Sequence, residues 1–150
     1  MMQLIEIPFV DIKERIKIAF DGDDDLVIFY DKALNLKSTN EMVNTTFYKL
    51  EEYYSSFSES KILPFSVDLN GVSIGYVFLL KNPDLLVSFS INKLHRTKNK
   101  LIGLFSMIKS FFDNGFSCLL YNENTRAINW LKKCGMNVVL VNNEFTKLKN

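Results

Sequence analysis

The apolar positions change period along the chain, and each change marks an element. From Gln3 to Phe9 the set Leu4, Glu6, Pro8 alternates with Ile5, Ile7, Phe9, the two-residue period of a strand. Ile12, Ile16 and Ala19 then recur at helical spacing, with Asp11 placed to cap a short helix. Asp21-Gly22-Asp23-Asp24-Asp25 breaks that helix. The apolar run Leu26 to Tyr30 fits either a strand or one helical turn, and its periodicity does not decide. Asn40 to Phe57 predicts a helix with Met42, Phe47, Leu50 and Tyr54 near one face.

The pattern sharpens after residue 65. Phe65 to Leu69 reads as a strand, Asn70-Gly71 is a strong two-residue hairpin signal, and Val72 to Leu80 is the return strand. Lys81-Asn82-Pro83-Asp84 turns the chain into a third strand, Leu85 to Ile91. A basic loop, Lys93 to Lys100, leads to a helix whose stripe is Leu101, Leu104, Phe105, Ile108, Phe111 and Phe112, with Gly115 at its C-terminal cap. Phe116 to Tyr121 is a strand. Asn124 or Thr125 caps a second helix with Ala127, Leu131 and Cys134 inward, ended by Gly135. Val138 to Val141 and Phe145 to Leu148, joined by Asn142-Asn143-Glu144, form a closing hairpin. Antiparallel strands feeding into alternating helices and strands imply an α/β (α+β) fold, with a mixed, mostly antiparallel central sheet flanked by helices.

Composition narrows the class. Hydrophobic residues make up 47% and aromatics 13% of the 150 residues, with only 6 Gly and 3 Pro, which predicts one packed domain over residues 1–150. No stretch reaches the roughly 18 unbroken apolar residues of a membrane span, and the Met1 to Pro8 segment lacks the basic start of a signal peptide. Cys118 and Cys134 read as buried thiols, not a disulfide, and a cytoplasmic setting is expected. The net charge of +1 hides an asymmetry: residues 1–75 carry 7 basic and 13 acidic side chains, residues 76–150 carry 11 basic and 4 acidic. The C-terminal half is therefore where an anionic partner would go, if one exists.

The familiar chemical motifs are missing. There is no Gly-x-Ser-x-Gly elbow and no Walker loop. His95, the single histidine, has no ligand spacing with the two cysteines, so no zinc site is expected; a Cys134–His95 nucleophile pair is disfavoured because the thiol sits at the end of a helix stripe. The Asp21 to Asp25 run lacks the alternating ligands and bidentate Glu of a calcium loop and reads as solvated, helix-capping carboxylates. The basic stretch 93–100 fits a solvated surface, a coenzyme site or an acidic partner. Nucleic acid is disfavoured because the neighbouring helix places its aromatics on an apolar face.

The segment Asn122-Glu123-Asn124-Thr125-Arg126-Ala127-Ile128-Asn129-Trp130-Leu131-Lys132-Lys133-Cys134-Gly135-Met136 resembles one found in the GNAT superfamily of N-acetyltransferases. There an Asn precedes a helix carrying Ala, an aromatic and a basic residue before a Gly-Phe end; Met136 stands in place of the Phe. The strand, basic loop and helix over 85–112 are also similar, and the resemblance covers residues 62–150. It implies a GNAT-like acyl-CoA N-acyltransferase fold, acetyl-CoA as cofactor and a primary amine as acceptor. It further implies that strand 85–91 splays from strand 116–121. Backbone groups of Phe89, Ser90 and Ile91 would line the pantetheine arm. Arg96, Thr97, Lys98, Asn99, Lys100 and Leu101 would hold the pyrophosphate, and Asn124 would lie near the thioester. General physics supports the phosphate placement, since a helix N-terminus offers free N–H donors, and Lys93, His95, Arg96, Lys98 and Lys100 crowd this one.

The departures bear on activity. The family's loop runs Gln or Arg, two variable residues, Gly, a variable residue, then Gly or Ala; here Arg96 is kept, but Asn99 and Leu101 replace the small residues. Glycine there lets backbone donors reach the phosphates, although Leu101 can instead turn inward as core. Leu131 stands where the family has its proton-donating Tyr, and strand 85–91 carries no carboxylate. Tyr121, Glu123 and His95 are the nearby substitutes, and a missing acid or base costs about 10²–10⁴-fold. The alternative expectation is a catalytically degenerate, protein-binding structural or assembly protein, of the kind found with this fold in short-tailed phage virions. A virion-associated location would go with it.

Overall fold

The computed structural model describes residues 1–56, 61–81, 85–111 and 115–150. In chain order the elements are β1 (Met2–Glu6), α1 (Ile12–Phe20), α2 (Asp24–Leu34), α3 (Thr39–Ser56), β2 (Lys61–Leu69), β3 (Val72–Lys81), β4 (Leu85–Ile91), α4 (Lys98–Lys109), β5 (Ser117–Tyr121), α5 (Thr125–Lys133), β6 (Asn137–Val141) and β7 (Phe145–Lys149). Short 3₁₀ turns occupy Phe9–Asp11 and Lys93–His95. The strands make one 7-stranded sheet in the order β1-β2-β3-β4-β5-β7-β6. Every neighbouring pair is antiparallel except β4–β5, so the expected mixed, mostly antiparallel sheet is present.

The sheet separates two cores, because side chains alternate between its faces. On one face Phe65, Val67, Val77 and Leu79 meet Leu101, Leu104, Phe105 and Ile108 of α4 and Ile128 and Leu131 of α5. On the other, Tyr76, Phe78 and Leu80 of the same β3 meet Ile12, Ile16, Ala19 and Phe20 of α1 and Met42, Val43 and Leu50 of α3. The β2–β3 turn is the expected Asn70-Gly71 hairpin, with φ of 52 and 82, the two positive values of a type I′ turn.

Several boundaries differ from the pattern reading. The first strand ends at Glu6, not Phe9: Pro8 has no N–H for the ladder, and Phe9 enters the 3₁₀ turn. Asp11 sits at the N-cap of α1, but its side chain makes no capping bond. Leu26 to Tyr30 is helical, inside α2. Asp23 decides this, its Oδ1 accepting the Leu26 N–H at 3.1 Å, while Asn35 ends the helix at φ 55. Helix α4 starts at Lys98, so Lys98 to Lys100 form its first turn and are not loop. In α5 the buried residues are Ile128 and Leu131; Ala127 and Cys134, expected inward, are only half-buried. Asn124 is the N-cap, without a side-chain bond. Tyr54 stacks on Phe9 (centroids 4.5 Å apart), as a packing residue should. The expected positions of Phe57, the Asn82-Pro83-Asp84 turn and Phe112 lie outside the described residues.

Candidate functional site

The site begins where the sheet parts. The parallel ladder between β4 and β5 consists of one pair, Leu86 with Ser117. Beyond it β4 runs on to Ile91 and β5 to Tyr121 with no further pairing between them. Each strand is held by a different neighbour. β5 is paired with β7 along its whole length, and Asn122 extends the tie, accepting from the Thr146 hydroxyl at 2.7 Å and donating to the Asn142 carbonyl at 2.7 Å. β4 is held by β3 and by the α1–α2 connection. A bulge leaves Ile74 unpaired against β2, and its carbonyl accepts the Asn92 N–H at 2.7 Å. Asn92 Nδ2 donates to the Ile18 carbonyl at 2.8 Å, closing the end of α1.

Backbone alternation fixes what the gap offers. In the peptide joining Ile91 and Asn92 the N–H faces β3, so the carbonyl faces away, and Arg96 Nε donates to it at 2.8 Å. Two residues earlier, the N–H and carbonyl of Phe89 point the same way, into the gap. The side chains do not line the gap equally. Ile91 is buried in the core, Phe89 packs edge-on against Phe105, and Ser90 Oγ accepts from Arg96 Nη2 at 3.3 Å.

Above the gap stands the N-terminus of α4. Thr97 caps it twice: its Oγ1 accepts the Lys100 N–H at 3.3 Å and its carbonyl accepts the Leu101 N–H at 3.0 Å. The N–H groups of Lys98 and Asn99 are left without intrahelical partners, as first-turn donors are. Both residues are exposed. Lys100 Nζ donates to His95 Nδ1 at 3.2 Å, gathering cations at the positive end of the helix dipole. Leu101 is turned into the core, so its bulk does not stand before the helix end. Cys134, at the end of α5, lies close enough to Lys98 for that cation to draw its thiol down against the larger upward push of partial burial.

Arg96 departs from the phosphate-holding role that the resemblance implies. Its guanidinium is engaged with the protein: Nη1 lies 2.5 Å from Asp23 Oδ2, in addition to the bonds to Ile91 and Ser90. The Asp23 side chain has 0% exposure, so this one carboxylate departs from the solvated reading of 21–25, while its cap on α2 and the exposure of Asp21 and Asp24 follow it. Asp25 forms a second, exposed pair with Arg126 of α5 at 2.6 Å. The acidic connection thus bridges the two flanks of the gap.

On the α1–α3 face, below the gap, lie three tyrosines. Burial pushes the Tyr76 phenol far up; Tyr30 adds to the rise, while a hydrogen bond with Ser88 and the charge of Arg96 oppose it. Burial likewise raises Tyr30, against a hydrogen bond with Thr46 at 2.9 Å and with Tyr121 adding. Tyr121 sits against Phe145 (4.9 Å) and Phe29 (6.2 Å). Lys49 of α3 donates to the Tyr121 hydroxyl, with its Nζ 4.6 Å from the ring centroid.

Neither a family model nor a curated relative matches the sequence. Solved structures do. An acetyltransferase from Thermus thermophilus superposes with a TM-score of 0.69 at 14% identity, over 99% of this chain and 96% of that one. The PaiA N-acetyltransferase of Thermoplasma acidophilum, solved in complex with coenzyme A, gives 0.65 at 14%, over 100% and 99%. The GNAT domain of S. lividans PAT gives 0.60 at 12%, over 99% and 88%. The fold is the GNAT acetyltransferase fold.

Within this GNAT fold the expected residues divide into groups. Phe89, Ser90 and Ile91 end β4, and Thr97, Lys98, Asn99 and Lys100 open α4. Asn124 follows β5, its N–H donating to the Tyr121 carbonyl at 3.0 Å. Tyr121 faces α2 and α3, Glu123 is exposed in the turn, and His95 lies with Lys100 at the start of α4. No hydrogen bond joins these three among the described residues. Pattern reading misses Asp23, Arg126, Tyr30, Tyr76 and Lys49. The Asp run signals charge but not its partners, which are brought in from 73 and 101 residues away along the chain.

Proposed function

We propose that this chain binds an acyl-coenzyme A, acetyl-CoA in the first instance, and transfers the acyl group to an amine. One observation carries the reading: β4 and β5 part above the single Leu86–Ser117 pair, beside a helix N-terminus with free donors and clustered lysines. Coenzyme phosphates match that helix end, and the inward turn of Leu101 removes the main steric objection. When bound, the coenzyme supplies an acyl carbon activated as a thioester. The N–H groups of Lys98 and Asn99, with the ammonium groups of Lys98 and Lys100, would take the pyrophosphate. The backbone of Phe89 would receive the pantetheine amides. Arg96 contributes by fixing the end of β4.

Proton handling falls to Tyr121. Lys49 donates to its oxygen, so the phenol's own hydrogen stays free for a departing thiolate on the gap side. Leu131 cannot play this part: it is buried in the core. The neighbours named above are acetyltransferases, and no observation favours the assembly-protein reading over catalysis.

Calorimetry and thermal denaturation with acetyl-CoA test the proposal. A bound ligand at 100 times its Kd should add about 2.7 kcal/mol of stability, and Lys98→Ala with Lys100→Ala should weaken binding and flatten its salt dependence. Absence of heat and of any thermal shift at millimolar acetyl-CoA refutes it.

A further inference from the structure

Where α3 meets the end of β5 stands an ammonium that no ion pair among the described residues neutralises. Lys49 projects from α3 to the end of β5, half-buried, with its ammonium against the hydroxyl and ring of Tyr121. Asp23 is committed to Arg96 and Asp25 to Arg126, and Glu52, Glu123 and Glu144, which neighbour Lys49, Tyr121 and Phe145 in the sequence, form no ion pair with Lys49. Among the described residues no ion pair includes Lys49. The ring it lies over, Tyr121, is itself packed against Phe29 and Phe145, which supply no anion. An ammonium has three donors, and the Tyr121 oxygen uses one.

We propose that Lys49 selects the acceptor: the amine that receives the acyl group carries an anionic substituent, a carboxylate or a phosphate, which Lys49 binds. The inference rests on the acyltransfer reading above. A polyamine or other purely cationic acceptor would bring like charge to a half-buried ammonium, where repulsion is weakly screened. An anionic group would complete the ammonium's hydrogen bonds and neutralise it. The same contact orients the acceptor. With its anion on Lys49, beside the Tyr121 hydroxyl, the amine end is directed toward the gap where the thioester would lie. The amine nitrogen forms the new bond to the acyl carbon as the carbon–sulfur bond breaks. The sulfur leaves with the electron pair and takes the Tyr121 proton, and the proton that the amine nitrogen loses returns through solvent to the Tyr121 oxygen.

Thiol release from acetyl-CoA, followed with acceptor pairs that differ only in the anion, tests this. Tyramine against L-tyrosine gives a carboxylate arm, and ethanolamine against O-phosphoethanolamine a phosphate arm; spermidine serves as the cationic control. The expected result is a kcat/KM preference of about tenfold or more for the anionic member of at least one pair, the size of one charge-assisted hydrogen bond. Lys49→Met should reduce the preference to about twofold or less, and Lys49→Glu should invert it. Because the ratio compares two acceptors on one variant, damage to Tyr121 common to both cancels. Equal use of both members, preference for the uncharged member or spermidine, a preference unchanged in Lys49→Met, or no turnover of any anionic acceptor overturns the proposal. Calorimetry with acetyl-CoA on the same preparations separates the two failures: coenzyme binding without anionic preference removes only the role of Lys49, while absent coenzyme binding removes the acyltransfer reading with it.

Discussion

At the scale of single residues, the decisive contact is the buried pair of Asp23 and Arg96. Asp23 has two tasks: one carboxylate oxygen caps α2 and the other faces the guanidinium. Removing one partner of a buried pair leaves the other charge without compensation, and this costs more than the pair itself contributes. Arg96→Ala should therefore destabilise by about 3 kcal/mol, near the lower end of the range for broken buried pairs because Arg96 keeps 28% exposure. Asp23→Asn keeps a capping oxygen, so combining it with Arg96→Ala should recover part of that loss. Urea denaturation of both single variants and the double variant measures the coupling, and strictly additive losses would show that the two side chains act independently. The Asp25–Arg126 pair is exposed on both sides, 77% for Arg126 and 40% for Asp25, and contributes no more than the small value of surface ion pairs.

At the scale of elements, β4 governs the site. Only Leu86 of it pairs on both sides, and the rest pairs with β3 alone, so the gap exists because β4 is drawn toward β3 and the α1–α2 connection. Gly75 permits this approach: a Cβ there would meet the Ser90 carbonyl oxygen at 2.1 Å and Ile91 Cα at 2.7 Å, both backbone atoms. Gly75→Ala should cost about 1–3 kcal/mol, the range for overpacked interiors, and should displace the end of β4 that carries the free Phe89 groups. The check is twofold: a lower urea midpoint, and weaker acetyl-CoA binding in calorimetry under conditions where the variant is folded. A variant as stable as the parent would refute the close approach of β3 and β4.

At the scale of the whole molecule, the two cores hold ionisable groups that must stay protonated. Burial pushes the Cys118 thiol up to about 12, from an ordinary value of 9.0. The folded chain thus retains a proton that the unfolded chain releases, so this contribution is fully present below about pH 9 and is lost as pH rises toward 12. Tyr76 and Tyr30, both raised mainly by burial, act with the same sign above their ordinary value of 10.0. Stability should fall between about pH 9 and 11 by up to about 1.4 kcal/mol per pH unit for each proton. Cys118→Ala should make that fall shallower by one proton's worth, whatever its stability at neutral pH. Denaturation series at successive pH values read the slope, and an unchanged slope would show that the thiol is not held protonated. The same core placement predicts that thiol reagents label half-buried Cys134 well before buried Cys118.

Local pattern suffices for much of this architecture. The hairpin at Asn70-Gly71, the strand Leu85 to Ile91, the amphipathic α4 and the closing hairpin all follow from periodicity and turn chemistry, because each satisfies its own backbone and shows its own apolar side. The basic cluster at the start of α4 and the aromatic end of β5 are legible for the same reason: their members are neighbours in sequence. The partners of charged groups are not. Arg96 stands at the position the family motif gives to a phosphate contact, and only the folded chain brings Asp23 against it, since 73 residues and three strands separate the two. Lys49 is inconspicuous on a helix of ordinary composition until α3 crosses the end of β5. The order of residues alone thus dictates which segments become helix or strand and where positive charge gathers, through interactions a few residues long. Folding in three dimensions settles which charges are neutralised, which strand pair parts and which ammonium meets the end of β5, because electrostatic pairing and ladder competition depend on distances in space that no local pattern encodes.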